Sequence, residues 1–292
     1  MKENTKLVIL AGGASSRMKK QLDGVASLSE EEKKQANTRS KGLISFDNSG
    51  RPFLDYLLYN AKKAGYKEVF IITGTENSLF KSFYGDKNEG NVFNELIINY
   101  AIQHIPKDRE KPFGTADALY QAMQQYSILK MSSFTVCNSD NLYSINALEL
   151  LRNNADKNSL ISYDRDALKF LSERIARFAL LSFSNSTELI SIIEKPKLAK
   201  MSFYKDEFGK YRVSMNIFKF DGNMIFKYLE NCPINQMRNE KELPTALLNM
   251  IVEHPNSTIG IPLSEHVPDL TSKDDIQVLK EYVKNIDISN FK

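Results

Sequence analysis

The stretch from Leu7 to Lys20, LVILAGGASSRMKK, places small residues and then cations directly after an apolar run. Gly12 and Gly13 let backbone N–H groups approach an anion, a following helix N-terminus would add a favourable dipole, and Arg17 adds a guanidinium that suits phosphate. The stretch therefore predicts a phosphate-binding loop. A tight strand-to-helix turn with a solvated arginine is the alternative, which this loop alone leaves open.

Other short polar stretches follow this loop in a fixed order along the chain. They are KGLISF from Lys41, GTADAL over 114–119, NSDNLYS over 138–144 and IIEKP over 192–196. The loop itself matches neither the GxxxxGK[ST] pattern nor the GxGxxG pattern of nucleotide-binding folds. Each stretch is weak evidence by itself, and an EKP triplet alone is typical of a charged turn, but their combination is specific.

Together with AGGASSR, these four stretches resemble the sugar-1-phosphate nucleotidyltransferases, over nearly the whole chain from about Leu7 to Ile276. The resemblance implies a reaction that joins a nucleoside triphosphate (NTP) to a sugar 1-phosphate and releases pyrophosphate, with Mg²⁺ as cofactor. A phosphate monoester is mostly dianionic at pH 7, since its second pKa is about 6, so the nucleophile needs no general base. His104, His254 and His266 accordingly form no evident pair with a serine or cysteine.

The resemblance assigns roles to individual residues on the nucleotide side. Arg17 and Lys41 would neutralise charge on the triphosphate and on the leaving pyrophosphate. Gln103 resembles the glutamine that reads the base, although its spacing to Gly114 is longer than usual and a surface side chain is the alternative. The residues expected to contact the nucleotide are Ala11, Gly12, Gly13, Arg17, Gln103, Gly114 and Thr115.

Two aspartates are the implied Mg²⁺ ligands. Asp140 ends the stretch SSFTVCNSD, where a strand end would present its carboxylate, and capping of the next helix is the alternative. Asp269 begins DLTSKDDI, which resembles a D-x-G-T-x-E-D segment without its glycine. Because of that departure, helix capping remains an equal alternative for Asp269.

The sugar-phosphate side is implied by three residues in the second half of the chain. Glu194 would accept a hydrogen bond from a sugar hydroxyl, and Lys195 would face the phosphate as a catalytic cation. Asn216 stands where the family often has glycine; because asparagine tolerates the left-handed region, it would keep a turn and contact the sugar.

Departures from the family pattern leave other functions open. Ser15 replaces the last glycine of G-G-x-G. The stretch GGASSRM is closer to the molybdenum-cofactor guanylyltransferases, but those proteins have their lysine a few residues after the methionine, where this chain has Lys20 and Gln21 instead. An acceptor other than a sugar, such as an alcohol phosphate, is therefore the second hypothesis. A non-catalytic nucleotide-binding regulatory subunit is the third. A glycosyltransferase would have a D-x-D pair, whereas 138–142 reads NSDNL.

Bulk composition excludes several classes of protein. The net charge is +3 with Lys+Arg 39 against Asp+Glu 36, too balanced for a dedicated nucleic-acid or membrane surface. The two cysteines, Cys137 and Cys232, imply no disulfide framework, and Cys137 is predicted to be buried. No apolar run approaches a membrane span, so we expect a cytoplasmic protein. The expected partners are an NTP and a small phosphorylated sugar; whether the chain forms a homo-oligomer stays open.

The elements that must position these residues follow an α/β pattern. LVIL over 7–10, VFIIT over 69–73, 95–103, 132–140 and SLISY over 159–163 are predicted strands. Helices are predicted over 52–65, 117–126 and 148–155. The first strand–helix–strand unit sets a Rossmann-like, mostly parallel sheet flanked by helices, the GT-A-like nucleotidyltransferase fold that the resemblance implies.

The rest of the chain is predicted to add to this sheet. Residues 175–220 contain strand-like runs that would pair antiparallel, and helical patterns dominate from 221 onward. We expect a single domain over 1–292, with nucleotide binding in about 1–145 and sugar-phosphate binding in about 146–292. Ser29 and Glu32 have the spacing of a capping box, so a helix is predicted over 30–37. The excursion over 19–40 is predicted to be a mobile lid.

Overall fold

The structure is a computed structural model that describes residues 4–19, 28–46, 50–184, 187–194 and 203–291. The strands in these ranges are β1 (Lys6–Leu10), β2 (Glu68–Thr73), β3 (Asn91–Phe93), β4 (Leu96–Ile102), β5 (Ser133–Asn138), β6 (Asn158–Asp164), β7 (Leu180–Phe183), β8 (Leu189–Ile193), β9 (Arg212–Val213), β10 (Ile217–Asp221) and β11 (Thr258–Leu263). The helices are α1 (Glu30–Thr38), α2 (Phe53–Lys63), α3 (Ser78–Tyr84), α4 (Thr115–Gln125), α5 (Ser127–Lys130), α6 (Ile145–Asn153), α7 (Ser172–Ile175), α8 (Gly222–Glu230), α9 (Leu243–Glu253) and α10 (Asp274–Val283).

All the described strands join one sheet in the order β3-β4-β2-β1-β5-β10-β6-β9-β7-β8, with β11 beside β6. β1 pairs parallel with both β2 and β5, and β2 pairs parallel with β4. β10 lies antiparallel between β5 and β6, whereas β11 runs parallel to β6. The carboxyl ends of β1, β2, β4, β5 and β6 therefore share one edge of the sheet.

The continuous apolar run in β1 is explained by its burial on both faces of the sheet. Successive strand residues point to opposite faces, and Leu7 and Ile9 belong to one core cluster while Val8 belongs to the other. The first cluster also contains buried residues of α2, α6 and α10, and the second those of α4, α8 and α9. Helices thus cover both faces, as a parallel sheet requires.

The predicted fold class is confirmed, including the antiparallel additions β7 to β10. Cys137 is fully buried in β5, and burial raises the pKa of its thiol, which makes it a core residue as predicted. The expectation that helices dominate from 221 onward missed β11. Its sequence, TIGIPL, includes glycine and proline, which are poor strand formers. Tertiary pairing with β6 explains why the segment is extended nevertheless.

The capping box at the start of α1 is confirmed. The Ser29 backbone N–H donates to Glu32 Oε2 at 2.8 Å, and the Glu32 backbone N–H donates to Ser29 Oγ at 3.3 Å. Lys280 Nζ of α10 lies 2.6 Å from Glu32 Oε1, so α1 is tied to the far end of the chain. Part of the predicted lid, residues 20–27, lies outside the described residues. The lid stays a prediction. Unchanged NTP affinity and turnover after deletion of α1 would contradict it.

Over the ranges that the structure describes, no helix combines the length and the apolar character that a membrane crossing requires.

Protonation of His266 should make stability depend on pH. Burial, with the charges of Lys169 and Arg174, lowers its pKa from 6.5 to about 4, and its Nδ1 accepts the Lys169 backbone N–H at 3.1 Å. Between these two pH values the unfolded state binds the extra proton, so the free energy of unfolding falls as pH drops from 6.5 towards 4. His266→Asn keeps a hydrogen-bond acceptor at this position. In this variant we expect the free energy of unfolding, measured by urea denaturation, to fall less between pH 7 and pH 5 than in the wild type. An unchanged decline would exclude His266 as its source.

Candidate active site

A cleft of about 360 Å³ opens at the carboxyl ends of the parallel strands, where ligands bind in open α/β sheets. Much of its wall comes from residues that the sequence had singled out. Those that line it are Ala11, Gly12, Gly13, Arg17, Lys41, Gln103, Gly114, Thr115 and Asp140. Segments more than 100 residues apart in the sequence are thus brought together around one space.

The glycine loop continues directly from β1. The Ala11 N–H donates to the Ile72 carbonyl at 2.9 Å, which holds the loop against β2. A Cβ on Gly12 would lie 3.3 Å from the Thr73 carbonyl carbon, so this glycine permits a close approach of two backbones. A Cβ on Gly13 would have no heavy atom of the described residues within 4 Å, because Gly13 faces open space beside the cleft.

Ser15 occupies the position of the glycine that the family pattern would have. Its φ is +54°, in the left-handed region, so serine here adopts the backbone conformation that glycine adopts most easily. The Lys19 N–H donates to the Ser15 carbonyl at 3.1 Å, which closes a turn. The expected helix N-terminus behind the loop is not found within residues 11–19. Arg17 is exposed on the cleft wall and makes no ion pair with any residue that the structure describes.

Lys41 and Asp140 form an ion pair, with Lys41 Nζ 2.8 Å from Asp140 Oδ2. Their proximity depends on Gly42, where a Cβ would lie 3.2 Å from the Ser139 carbonyl oxygen and 3.3 Å from its Cβ. Lys41 is 9% exposed, so its charge is partly withdrawn from water and acts on the floor of the cleft. The KGL and NSD stretches therefore pack directly against each other at the cleft.

Gln103 is buried in the cleft wall rather than exposed on the surface. Its Nε2 donates to the Gly114 carbonyl at 3.0 Å and to Asp117 Oδ2 at 2.9 Å. With both amide hydrogens engaged, the remaining Oε1 lies beside Gly12, 3.4 Å from where a Cβ would stand. Gln103 and Gly114 are therefore in contact despite their long spacing in the sequence, because the loop between them returns to Gln103.

Gly114 and Thr115 join the start of α4 to the start of α9. Gly114 has φ +102° and ψ −179°, a conformation essentially restricted to glycine, and a Cβ there would lie 2.4 Å from the Lys241 carbonyl oxygen. Thr115 Oγ1 accepts the Leu243 N–H at 2.9 Å. The GTA stretch therefore has a structural function in addition to its place on the cleft wall.

Asp269 lies next to Asp140 but does not line the cleft. Asn141 and Asp269 form a single antiparallel bridge, and the Leu270 N–H donates to the Asp140 carbonyl at 2.8 Å. Burial, together with the charge of Asp140, raises the pKa of the Asp269 carboxyl above its ordinary value, which the Arg174 guanidinium counteracts. Arg174 Nη2 lies 2.7 Å from Asp269 Oδ2.

The residues predicted for the sugar-phosphate side do not line the cleft. Glu194 is half-exposed at the end of β8, 3.4 Å from Arg238 Nη2. Asn216 is exposed with φ +56°, so the predicted left-handed turn is present, immediately before the residue that pairs with Cys137 of β5. Lys195 lies outside the described residues.

Some cleft residues were missed from the sequence. Lys111, three residues before Gly114 in the stretch REKPFG, adds a third cation to the wall and could have been found from that position. Glu240 also lines the cleft, and no local pattern marks it. Arg174 belongs to no motif of the sequence and is identified only by its contact with Asp269.

Comparisons with known proteins agree with this arrangement. The Nucleotidyl transferase family model matches residues 6–263. A glucose-1-phosphate adenylyltransferase of Vibrio parahaemolyticus is 24% identical over 223 residues, covering 76% of this chain and 50% of the relative. One of Clostridioides difficile is 22% identical over 262 residues, covering 87% of this chain and 59% of the relative. The chain thus spans about half the length of the curated relatives it matches.

A solved structure shares the fold. It is a Bacillus anthracis protein, provisionally assigned as a glucose-1-phosphate thymidylyltransferase and crystallised with a sucrose. It superimposes with a TM-score of 0.65 at 19% identity, covering 97% of this chain and 96% of that one. The family match over most of the chain confirms the resemblance seen in its motifs: the chain belongs to the nucleotidyl transferase family of enzymes.

Proposed function

We propose that the protein joins an NTP to a sugar 1-phosphate, giving a nucleoside diphosphate sugar and pyrophosphate. The observation that carries the proposal is the cleft, where the bare loop at Gly12 and Gly13 meets the cations Arg17 and Lys41 and the carboxylate of Asp140. Bare backbone and cations suit a triphosphate, and a carboxylate beside them suits its metal ion. Family membership adds independent support.

The chain's own groups would act by positioning and by charge. The N–H groups of Gly12 and Gly13 would hold the triphosphate, and Arg17 and Lys41 would stabilise negative charge on the leaving pyrophosphate. Gln103 would offer Oε1 to a donor group of the base, since its Nε2 is already engaged. The acceptor phosphate arrives ionised at pH 7, so no general base is required.

Asp140 has the surroundings of a magnesium ligand. It lies on the cleft wall with part of its side chain exposed, and its single ion-pair partner among the described residues is Lys41. Mg²⁺ is usually held by one or two carboxylates together with substrate phosphates and water, which fits this site. A bound Mg²⁺ would neutralise phosphate charge during in-line displacement. Asp269, its neighbour, is the second carboxylate that the sequence suggested.

The acceptor would enter from the side of β8 and β10. Both Glu194 and Asn216 have exposed side chains. Arg238, the ion-pair partner of Glu194, is two residues from Glu240 of the cleft wall, and Asn216 directly precedes the residue that pairs with Cys137, three residues before Asp140. Lys195 follows Glu194 in the chain and is proposed to meet the acceptor phosphate.

The test is pyrophosphate release with Mg²⁺, in which each of the four NTPs and dTTP is paired with a panel of sugar 1-phosphates and alcohol phosphates. We expect release that requires one nucleotide and one sugar 1-phosphate. Release only with an alcohol phosphate would favour the nonsugar acceptor. NTP binding without release from any pair would favour a regulatory subunit.

Gly13→Ala should weaken NTP binding without weakening the fold. A methyl group at Gly13 meets no atom within 4 Å in the part of the chain that the structure describes, so the free energy of unfolding should change by less than about 0.5 kcal/mol. It would hold the triphosphate away from the backbone, and we expect a loss of affinity of about tenfold or more, the equivalent of one hydrogen bond to a charged group. Calorimetric NTP titration and urea unfolding measure the two effects.

Gly74→Ala is the matched control for this variant. A Cβ on Gly74 also meets no described atom of the protein within 4 Å, but Gly74 does not line the cleft. Its NTP affinity should equal that of the wild type. If Gly13→Ala bound the NTP as tightly as Gly74→Ala does, a triphosphate contact at Gly13 would be contradicted.

A further inference from the structure

The carboxylate of Asp269 is already supplied with donors from the protein. Arg174 Nη2 donates to Oδ2 at 2.7 Å, and Thr271 Oγ1 lies 2.9 Å from both Oδ1 and Oδ2. The side chain is only 12% exposed. Thr271 stands where the related D-x-G-T-x-E-D pattern has glycine, so its hydroxyl contact with Asp269 exists because of that departure.

Arg174 is itself fixed in place. Its Nη1 donates to Asp275, and its guanidinium lies over the Phe170 ring with its carbon 4.4 Å from the ring centroid. Asp275 in turn accepts the backbone N–H groups of Thr271 and Ser272 at 2.8 and 2.7 Å. Moving Arg174 away from Asp269 would therefore disturb several contacts together.

Asp140 is held much less firmly. Its described ion pair is a single contact with the flexible side chain of Lys41, and its own side chain is twice as exposed as that of Asp269, at 24% against 12%. Asp140 lines the cleft and Asp269 does not. An arriving cation would displace one lysine ammonium at Asp140, but a stacked and doubly paired arginine at Asp269.

We infer that Arg174 and Thr271 keep Asp269 out of the metal's coordination sphere, so that Asp140 is the one carboxylate of this pair that ligates the metal. Among the described residues no three or more histidine, cysteine, aspartate or glutamate side chains converge as a metal site, so substrate phosphates and water would supply the other ligands. The inference rests on the proposed function, because it concerns the same metal. It makes Arg174 a positioning residue that acts through Asp269.

Two charge-neutral double variants test this inference. R174M/D269N removes one ion pair and K41M/D140N removes the other, so each deletes one carboxylate without changing the net charge. Mn²⁺ is the probe, and its binding is followed by the electron paramagnetic resonance signal of the free ion, with and without a nonhydrolysable NTP. Circular dichroism establishes that each variant is folded.

We expect R174M/D269N to bind Mn²⁺ within about threefold of the wild-type affinity. K41M/D140N should lose about tenfold or more, since metal sites lose that much even from outer partners. Equal losses in the two variants would make Asp269 a ligand and overturn the inference. No Mn²⁺ binding by the wild type would instead contradict the metal site of the proposed function, and the inference with it.

A wild-type crystal soaked in Mn²⁺ gives the answer even if a double variant fails to fold. Anomalous density should lie about 2.1 Å from an oxygen of Asp140 and outside coordination distance of Asp269. Density that bridges both carboxylates would overturn the inference.

Discussion

Asp140→Asn is expected to lower Mg²⁺-dependent turnover by about a thousandfold or more, because it removes the carboxylate proposed to hold the metal at the reacting phosphates. Asparagine has nearly the same shape as aspartate, but it cannot pair with Lys41, whose Nζ lies 2.8 Å from Oδ2. Loss of that pair should cost only about 1–2 kcal/mol of unfolding free energy. Pyrophosphate release and thermal melting measure the two effects separately.

Asp108→Asn provides the control for the charge change. Asp108 is an exposed residue of the loop that leads to Gly114, and it does not line the cleft. Its turnover should match that of the wild type. If Asp140→Asn retained wild-type turnover, Asp140 could not be the metal ligand. Capping of the next helix is not its role either, since Ser144 caps α6.

The second large effect is expected for Gly114→Ala, through the backbone. Alanine is strained at φ +102° and ψ −179°, and its Cβ would lie 2.4 Å from the Lys241 carbonyl oxygen, which accepts the Ala116 N–H. The strain and the clash together should lower the free energy of unfolding by about 2–4 kcal/mol. Since the start of α4 forms part of the cleft wall, NTP affinity should fall as well.

Urea unfolding and NTP titration of Gly114→Ala test this prediction. Gly13→Ala is the comparison, since both glycines lie on the cleft but only Gly114 has a backbone conformation closed to alanine. Wild-type stability of Gly114→Ala would mean that the segment around Lys241 moves at little cost.

The parallel core of the fold could be predicted because its strands are buried on both faces and are therefore continuous apolar runs. LVIL, VFIIT and FTVC all lie in strands of the sheet. β11 could not be predicted in this way, because what makes TIGIPL a strand is β6, about 100 residues earlier in the chain. Its local composition favours a loop.

In the candidate site, too, residues that lie close together in the sequence could be predicted, whereas contacts between distant segments could not. Gly12, Gly13 and Arg17 lie in one short stretch, and the other motifs that follow it in order favour a phosphate loop over a simple turn. Arg174 was missed because its effect on Asp269 depends on the contact of α7 with the segment that contains Asp269, and neither carries a sequence pattern for that contact. At Ser15 the sequence departs from the glycine of the family pattern, yet the left-handed turn is still present.

The bridge between Asn141 and Asp269 has a consequence for the order in which the protein is made. A contact across so much sequence closes late in folding, because loop-closure entropy must be overcome first. A nascent chain that ends before Thr258 has the glycine loop, Lys41 and Asp140, but β6 lacks its parallel neighbour and Asn141 lacks its bridge partner Asp269. The glycine loop, Lys41 and Asp140 therefore leave the ribosome before the segment that carries Asp269, and the edge of the cleft at Asp140 is completed only after that segment has emerged.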